Sequence, residues 1–175
     1  MIKRNIVLAS LALLASFAQA EGEPFVWARC FYDGVEVLFT NRVANGGASF
    51  DFSAFTNATI HFADGEIAVD SLKFDPTCGL KFVGGADTVL KGVADKSVFD
   101  GLNSQLTAHN SQLTTWSNLT FTCDAAVRPV WRNGGAIALV GGGFRIAGCT
   151  FVNCFSEEFG GAVYAPLLTA DSQIT

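Results

Sequence analysis

The chain has 175 residues, of which 50% are hydrophobic and only 15% are charged, and its formal net charge is −5 at pH 7. This composition excludes intrinsic disorder, which requires few apolar residues and many charges. The acidic balance argues against a nucleic-acid partner, because phosphate binding needs clustered Lys and Arg.

The first twenty residues are predicted to be a secretory signal peptide. A short basic start precedes a mostly apolar run, and Ala18 and Ala20 form an A-x-A cleavage pattern. The run is shorter than the roughly 20 apolar residues of a transmembrane helix, and the alternative is a buried N-terminal helix. We expect an exported protein, extracellular or at the cell surface or outer membrane, with no transmembrane span in this chain.

After the signal, apolar residues recur at every second position between Gly, Asp and Asn, which is the pattern of short strands and turns. The 18 glycines and 16 phenylalanines also favour a β-rich fold. In chain order the alternating runs are Val35, Val37 and Phe39; Phe50 and Phe52; Ile60 and Phe62; Ile67 and Val69; Leu72 and Phe74; Leu80 and Phe82; and Val89. We expect residues 21–57 to form an N-terminal β capping region.

Residues 113–175 contain a repeat. Residues 118–124 (NLTFTCD) align with residues 148–154 (GCTFVNC), which places Phe121 and Phe151 30 residues apart. A second motif recurs at a spacing of 26 residues, with extra residues expected near 126–129 of the first copy. Its copies are Gly134, Gly135, Ala136 and Ile137, and Gly160, Gly161, Ala162 and Val163.

A period of this length made only of strands and turns predicts a parallel β-helix, in which each coil stacks on the previous one. Phe121 and Phe151 would then stack inward, and each Gly-Gly pair would form a corner that needs positive φ or close backbone approach. The alternative is a chance repetition in a Gly-rich β-sandwich. We expect an all-β chain with β-helix coils over residues 58–175, incomplete at the C-terminus and therefore a fragment or a truncated product.

These motifs resemble the repeats of chlamydial-type polymorphic outer membrane proteins and of related right-handed parallel β-helix (pectin-lyase-like) proteins. That family repeats a Gly-Gly-Ala-Ile-like motif together with Phe-x-x-Asn. The second motif is imperfect here, because Asp124 and Cys154 stand where the family has Asn. The resemblance is clear over residues 113–175 and weaker back to 58. It implies a secreted, passenger-like solenoid with further coils of its own chain.

The five cysteines are Cys30, Cys78, Cys123, Cys149 and Cys154. Export makes disulfides possible, but an odd number leaves at least one thiol unpaired within the chain, and the sequence does not give the pairing. Their spacing is not that of a metal site. For Cys149 we expect the role of a small buried hydrophobe.

No catalytic, cofactor or metal site is expected. Catalytic carboxylates on a β-helix would recur in successive coils, and the acidic residues of the repeat region do not: Asp124, Glu157, Glu158 and Asp171. Asp64, Glu66 and Asp70 lack the spacing of a calcium loop, and Asp51 and Asp75 are typical of turns.

We therefore expect a non-enzymatic adhesin or autotransporter-passenger-like module that contacts host-cell, glycan or other surface ligands. Trp131 and Arg132 are candidate contacts, because loops on rigid scaffolds often carry binding. The alternative is a fragment of a carbohydrate-active enzyme, a polysaccharide lyase or glycoside hydrolase, whose site lies in coils beyond this chain. A third possibility is a fragment without independent function.

Overall fold

The structure, a computed structural model, describes residues 25–41, 47–93, 96–101, 112–123, 134–156, 160–166 and 172–175. The predicted signal peptide, with Ala18 and Ala20, lies outside these residues, as do Trp131 and Arg132. Every element of regular secondary structure in the described residues is a β-strand. These residues include no helix long and apolar enough to cross a membrane.

The described residues form fifteen strands. They are β1 (Phe25–Tyr32), β2 (Val35–Asn41), β3 (Ala48–Asp51), β4 (Thr59–Phe62), β5 (Gly65–Lys73), β6 (Lys81–Val83), β7 (Thr88–Gly92), β8 (Phe99–Gly101), β9 (Thr114–Ser117), β10 (Thr120–Cys123), β11 (Ile137–Leu139), β12 (Phe144–Ala147), β13 (Thr150–Val152), β14 (Val163–Tyr164) and β15 (Gln173–Ile174).

The strands form two sheets. The first sheet has the order β15-β12-β9-β6-β4-β1-β2, and its pairs are parallel except those that involve β1. The second has the order β13-β10-β7-β5-β8-β11-β14, with β3 also paired to β5, and all of its pairs are parallel. The predicted all-β chain is thus confirmed for the described residues.

The second sheet consists of two ladders that meet in the long strand β5. Gly65 to Val69 pair with β7, whereas Leu72 and Lys73 pair with β8. The first sheet forms a third ladder. Each group of consecutive strands extends all three ladders by one step, and β5 extends both ladders of the second sheet. We call β4–β5 layer 1, β6–β8 layer 2, β9–β11 layer 3 and β12–β14 layer 4.

Apolar side chains face inward at matching positions of successive layers. Three rows of ladder partners form this core: Ile60, Phe82, Trp116 and Ile146; Ile67, Leu90, Phe121 and Phe151; and Leu72, Phe99, Ile137 and Val163. Trp116 stacks on Phe82 with ring centroids 5.8 Å apart, and Phe121 stacks on Phe151 at 5.0 Å. Burying each large apolar side chain contributes about 1.5–3 kcal/mol, so the rows hold the layers together.

The first glycine of each Gly-Gly motif has the same backbone geometry. Gly134 has φ of 72° and Gly160 has φ of 79°, a region that residues with a Cβ rarely adopt. A Cβ on Gly134 would overlap the carbonyl oxygen of Ile137, and one on Gly160 would overlap that of Val163. Any residue other than glycine is therefore unfavourable at these two positions.

The two copies of the motif lie directly on one another. The amide of Gly135 donates to the carbonyl oxygen of Gly161, and the amide of Ala136 donates to that of Ala162 at 2.9 Å. The observed partners Ile137 and Val163, like Phe121 and Phe151 in the neighbouring ladder, are those that the 26- and 30-residue spacings predict.

The alternating pattern predicted inward-facing side chains at Val35 and Val89, and both predictions are wrong. Val35 is 51% exposed, because it directly follows the β1–β2 turn at the edge of the first sheet. In β7, Val89 is only half-buried, and Thr88 and Leu90 face inward instead. The Thr88 hydroxyl accepts from the Gly85 amide at 2.8 Å and donates to the Ala63 carbonyl oxygen at 3.1 Å. These bonds make a polar residue tolerable in the core.

Candidate binding face

The outer surface of the first sheet carries aligned side chains from all seven of its strands. One row of consecutive partners comprises Thr59, Lys81, Thr115, Arg145 and Gln173. A neighbouring row comprises Leu38, Arg29, His61, Val83 and Ser117. We call the surface made by these two rows the outer face.

The outer face is basic although the chain as a whole is acidic. Strands β1, β4, β6, β9, β12 and β15 contain Arg29, Lys81 and Arg145 but no Asp or Glu, whereas Glu36 lies on the edge strand β2. All three cationic side chains are exposed, as is His61. Within the described part of the chain, no carboxylate forms an ion pair with Arg29, Lys81 or Arg145.

The register of the strands sets the spacing of these charges. Lys81 and Arg145 are two ladder steps apart through Thr115, which corresponds to about 10 Å at roughly 4.8 Å per step. Arg29 and His61 are direct partners across the β1–β4 pair. The Thr115 side chain lies between Lys81 and Arg145 and offers a hydroxyl donor and acceptor.

A depression of about 380 Å³ opens on the same face where β1, β4 and β6 meet. Arg29, His61 and Asp64 supply its polar lining, and Val83 and the Gly84 backbone supply part of the rest. This volume is in the range of small-ligand sites. Its polar lining therefore combines one guanidinium, one imidazole and one carboxylate side chain.

The acidic residues that the sequence singled out upstream are separate in the structure. Glu66 pairs with Lys91 at 3.2 Å, and Asp70 pairs with Lys96 at 3.3 Å. The Asp64 carboxylate instead lies 3.2 Å from the Thr88 hydroxyl, whose single proton is shared between Asp64 and the Ala63 carbonyl oxygen. Among the described residues, no three His, Cys, Asp or Glu side chains lie together as a metal site would require.

Asp51 and Asp75 cap turns, as expected. The Asp51 carboxylate accepts from the Ser53 amide at 2.9 Å, and that of Asp75 accepts from the amide and hydroxyl of Thr77 at 2.9 and 2.7 Å. Asp124, Glu157, Glu158 and Asp171 lie outside the described residues, so the alternative of an enzyme fragment stays a prediction.

The two tryptophans within the described residues do not form a carbohydrate-stacking surface. Trp27 is 2% exposed and Trp116 is 0% exposed, so neither can stack on a ligand. The predicted contacts Trp131 and Arg132 are not described. The sequence reasoning missed the outer face, because Arg29, Lys81 and Arg145 are far apart in the chain and only the strand register aligns them.

Comparisons of this chain with protein families, curated proteins and solved structures found no match.

Proposed function

We propose that the protein is an exported, non-enzymatic adhesin-like module built as a right-handed parallel β-helix similar to the polymorphic outer membrane protein repeats. The observation that carries this proposal is the register of successive layers, in which Phe121 lies opposite Phe151 and Ile137 opposite Val163. Such a stack forms a stiff scaffold with flat outer surfaces. The right-handed sense follows the general rule for parallel strands joined by crossover connections.

The ligand that best fits the outer face is an acidic surface glycan. Arg29, Lys81 and Arg145 are exposed, and hydroxyl-bearing Thr and Ser side chains lie between them in the rows. A linear polymer with sulfate or carboxylate groups about 10 Å apart would engage Lys81 and Arg145 together. Several weak contacts along one rigid face add up to useful affinity, because the second contact is intramolecular.

A binding assay with a sulfated polysaccharide tests this proposal. Dextran sulfate is immobilised, and the full chain is compared with the double variant Lys81→Gln/Arg145→Gln. Two exposed ion contacts of about 0.7 kcal/mol each correspond to a loss of about tenfold in affinity. The wild-type affinity should also fall as salt is raised, because exposed charges are screened.

A control matched in net charge removes two positive charges from the other sheet, one of them the Lys91 partner of Glu66. Lys73 and Lys91 lie on β5 and β7, and Lys73→Gln/Lys91→Gln leaves the outer face unchanged. We expect this control to bind like the wild type. An equal loss in both double variants would mean that only net charge matters, and the outer face would be rejected as the binding site.

Export is tested separately by expressing the full sequence in a Gram-negative host. The mass of the secreted or periplasmic product should correspond to cleavage after Ala20. Retention of an uncleaved N-terminus in the cytoplasm would contradict the surface location and, with it, the adhesin function.

A further inference from the structure

Two cysteines from neighbouring layers lie side by side. Cys123 is the last residue of β10, and Cys154 follows β13 by two residues. Continuing the β10–β13 register would place Cys123 opposite Asn153. Asn153, however, has φ of 54°, and the chain turns there. The Cys154 sulfur lies 3.6 Å from the Val152 carbonyl oxygen of its own layer and 3.7 Å from the Phe121 carbonyl oxygen of layer 3.

The Cys154 thiol lies beside the strand that ends in Cys123, and hydrogen bonding between the two thiols shifts their pKa values in opposite directions. The Cys154 thiol lowers the pKa of Cys123, and the Phe155 backbone amide lowers it further, against the opposing effect of burial. The pKa of Cys154 is raised by the same hydrogen bond, by burial and by repulsion from the Cys123 thiolate. Cys123 is therefore the better nucleophile, because the thiolate is the reactive form.

The other three cysteines, all within the described residues, have different surroundings. The Cys149 thiol contacts the Ala147 carbonyl oxygen at 3.7 Å, the Cys78 thiol lies 4.0 Å from the Ser53 carbonyl oxygen, and Cys30 is buried in β1. Cys149 is half-buried and packs against the core, close to the role expected for it. The pair Cys123 and Cys154 is thus distinguished by its position on neighbouring layers and by the interaction between its two thiols.

We propose that Cys123 and Cys154 form a disulfide that covalently links layer 3 to layer 4, and that it forms by exchange with a low-molecular-weight disulfide or a protein disulfide donor outside the cytoplasm. The link joins the end of β10 to the end of β13. The link lies next to the Gly-Gly corner, since the Cys123 sulfur is 3.6 Å from the Gly135 carbonyl oxygen.

The chemistry proceeds in two exchange steps. The Cys123 thiolate attacks one sulfur of the donor disulfide, forms a mixed disulfide and releases one donor thiolate, which takes up a proton. Cys154 then loses its proton and attacks the Cys123 sulfur, and the second donor thiol leaves. In total the pair gives up two electrons and two protons, and the donor disulfide is reduced to two thiols.

Peptide mapping of the full chain tests the proposal. The reduced, folded protein is incubated with oxidised glutathione, alkylated, digested without reductant and analysed by mass spectrometry. We expect a Cys123–Cys154 cross-linked peptide pair, lighter by about 2 Da than the sum of the two free peptides because two hydrogens are lost. Little glutathione should remain on either residue, because the second thiol resolves the mixed disulfide.

Two variants sharpen the test. Cys154→Ser should trap a stable glutathione adduct on Cys123, whereas Cys149→Ser should still give the Cys123–Cys154 link. A wild-type link between Cys149 and either member of the pair, or persistent adducts on both Cys123 and Cys154, would overturn the proposal. The wild-type map decides by itself even if one of the variants fails to fold.

Discussion

Replacing Phe121 by Ala tests whether the inward rows hold the layers together. Phe121 is 0% exposed, lies parallel to Phe151 with ring centroids 5.0 Å apart, and packs edge-on against Phe99 at 6.0 Å. Loss of a fully buried Phe costs about 3–5 kcal/mol, including the cavity that is left. The parallel ring pair accounts for about 0.5–1.5 kcal/mol of that cost. We therefore expect destabilisation of about 4 kcal/mol.

Urea unfolding of wild type and variant, followed by the fluorescence of the buried Trp27 and Trp116, measures this loss. A domain has only about 5–15 kcal/mol of stability in total, so the midpoint should fall steeply. The slope of the transition should not change, because the surface exposed on unfolding stays nearly the same.

The control for this measurement is Phe31→Ala, since Phe31 is 71% exposed on β1. Its cost should stay below about 1 kcal/mol, as for most surface substitutions. Measuring Phe151→Ala and the double variant Phe121→Ala/Phe151→Ala as well gives the interaction free energy between the two rings, which we expect to be about 1 kcal/mol. Equal costs for Phe121→Ala and Phe31→Ala would refute the stacked core.

Three further predictions concern a corner, a buried thiol and the disulfide. Gly134→Ala should cost at least about 2 kcal/mol more than Gly34→Ala in urea unfolding, because both have positive φ but only Gly134 lacks space for a Cβ; equal costs would contradict the close stacking at that corner. Burial raises the pKa of the Cys30 thiol from 9.0 to about 11. The resulting stability is fully present below pH 9 and is lost as the pH approaches 11, so from pH 8.5 to 11 wild type should lose about 2–3 kcal/mol more than Cys30→Ala; parallel pH profiles would contradict this. Glutathione-oxidised protein should be more stable than reduced protein by about 3–4 kcal/mol, the value for closing a loop of about 30 residues, and Cys154→Ser should abolish the difference.

The repeat made the later layers predictable from the sequence. Phe121 and Phe151, like Gly134 and Gly160, stand at equivalent positions of their units, so the spacing alone gives the strand partners of layers 3 and 4. Gly-Gly-Ala also occurs earlier, at residues 46–48 and 84–86, but these copies are 38 residues apart and are followed by Ser49 and Asp87 instead of Ile or Val, so they do not give the register of the earlier layers. The β4–β6 pair joins Thr59 to Lys81, a spacing that no repeated motif marks.

The first hairpin was not predicted, although it contains a recognisable turn. Asp33 and Gly34 both have positive φ, at 49° and 78°, as two-residue hairpin turns require. The strand before the turn does not alternate cleanly, because a register shift between Val26 and Ala28 leaves Trp27 and Ala28 both buried. A bulge of this kind breaks the period-two pattern.

The outer face depends on tertiary structure and could not be read from the sequence. Each of its cations is a single charge in a short apolar strand, with no neighbouring basic residue in the same strand to mark it. Only the pairing of Lys81 with Thr115, and of Thr115 with Arg145, places the charges in one row.

The central claim is that successive layers stack in register, and distances along one row of the outer face test it most directly. Spin labels are introduced as non-natural amino acids, so that the five native cysteines stay unchanged, in the pairs Thr59/Thr115, Thr59/Arg145 and Thr59/Gln173. These pairs are two, three and four ladder steps apart. Electron paramagnetic resonance should give distances that increase by about 5 Å from one pair to the next. Distances that do not increase in this order, as in a sandwich whose strands alternate between two facing sheets, would contradict the stacked architecture.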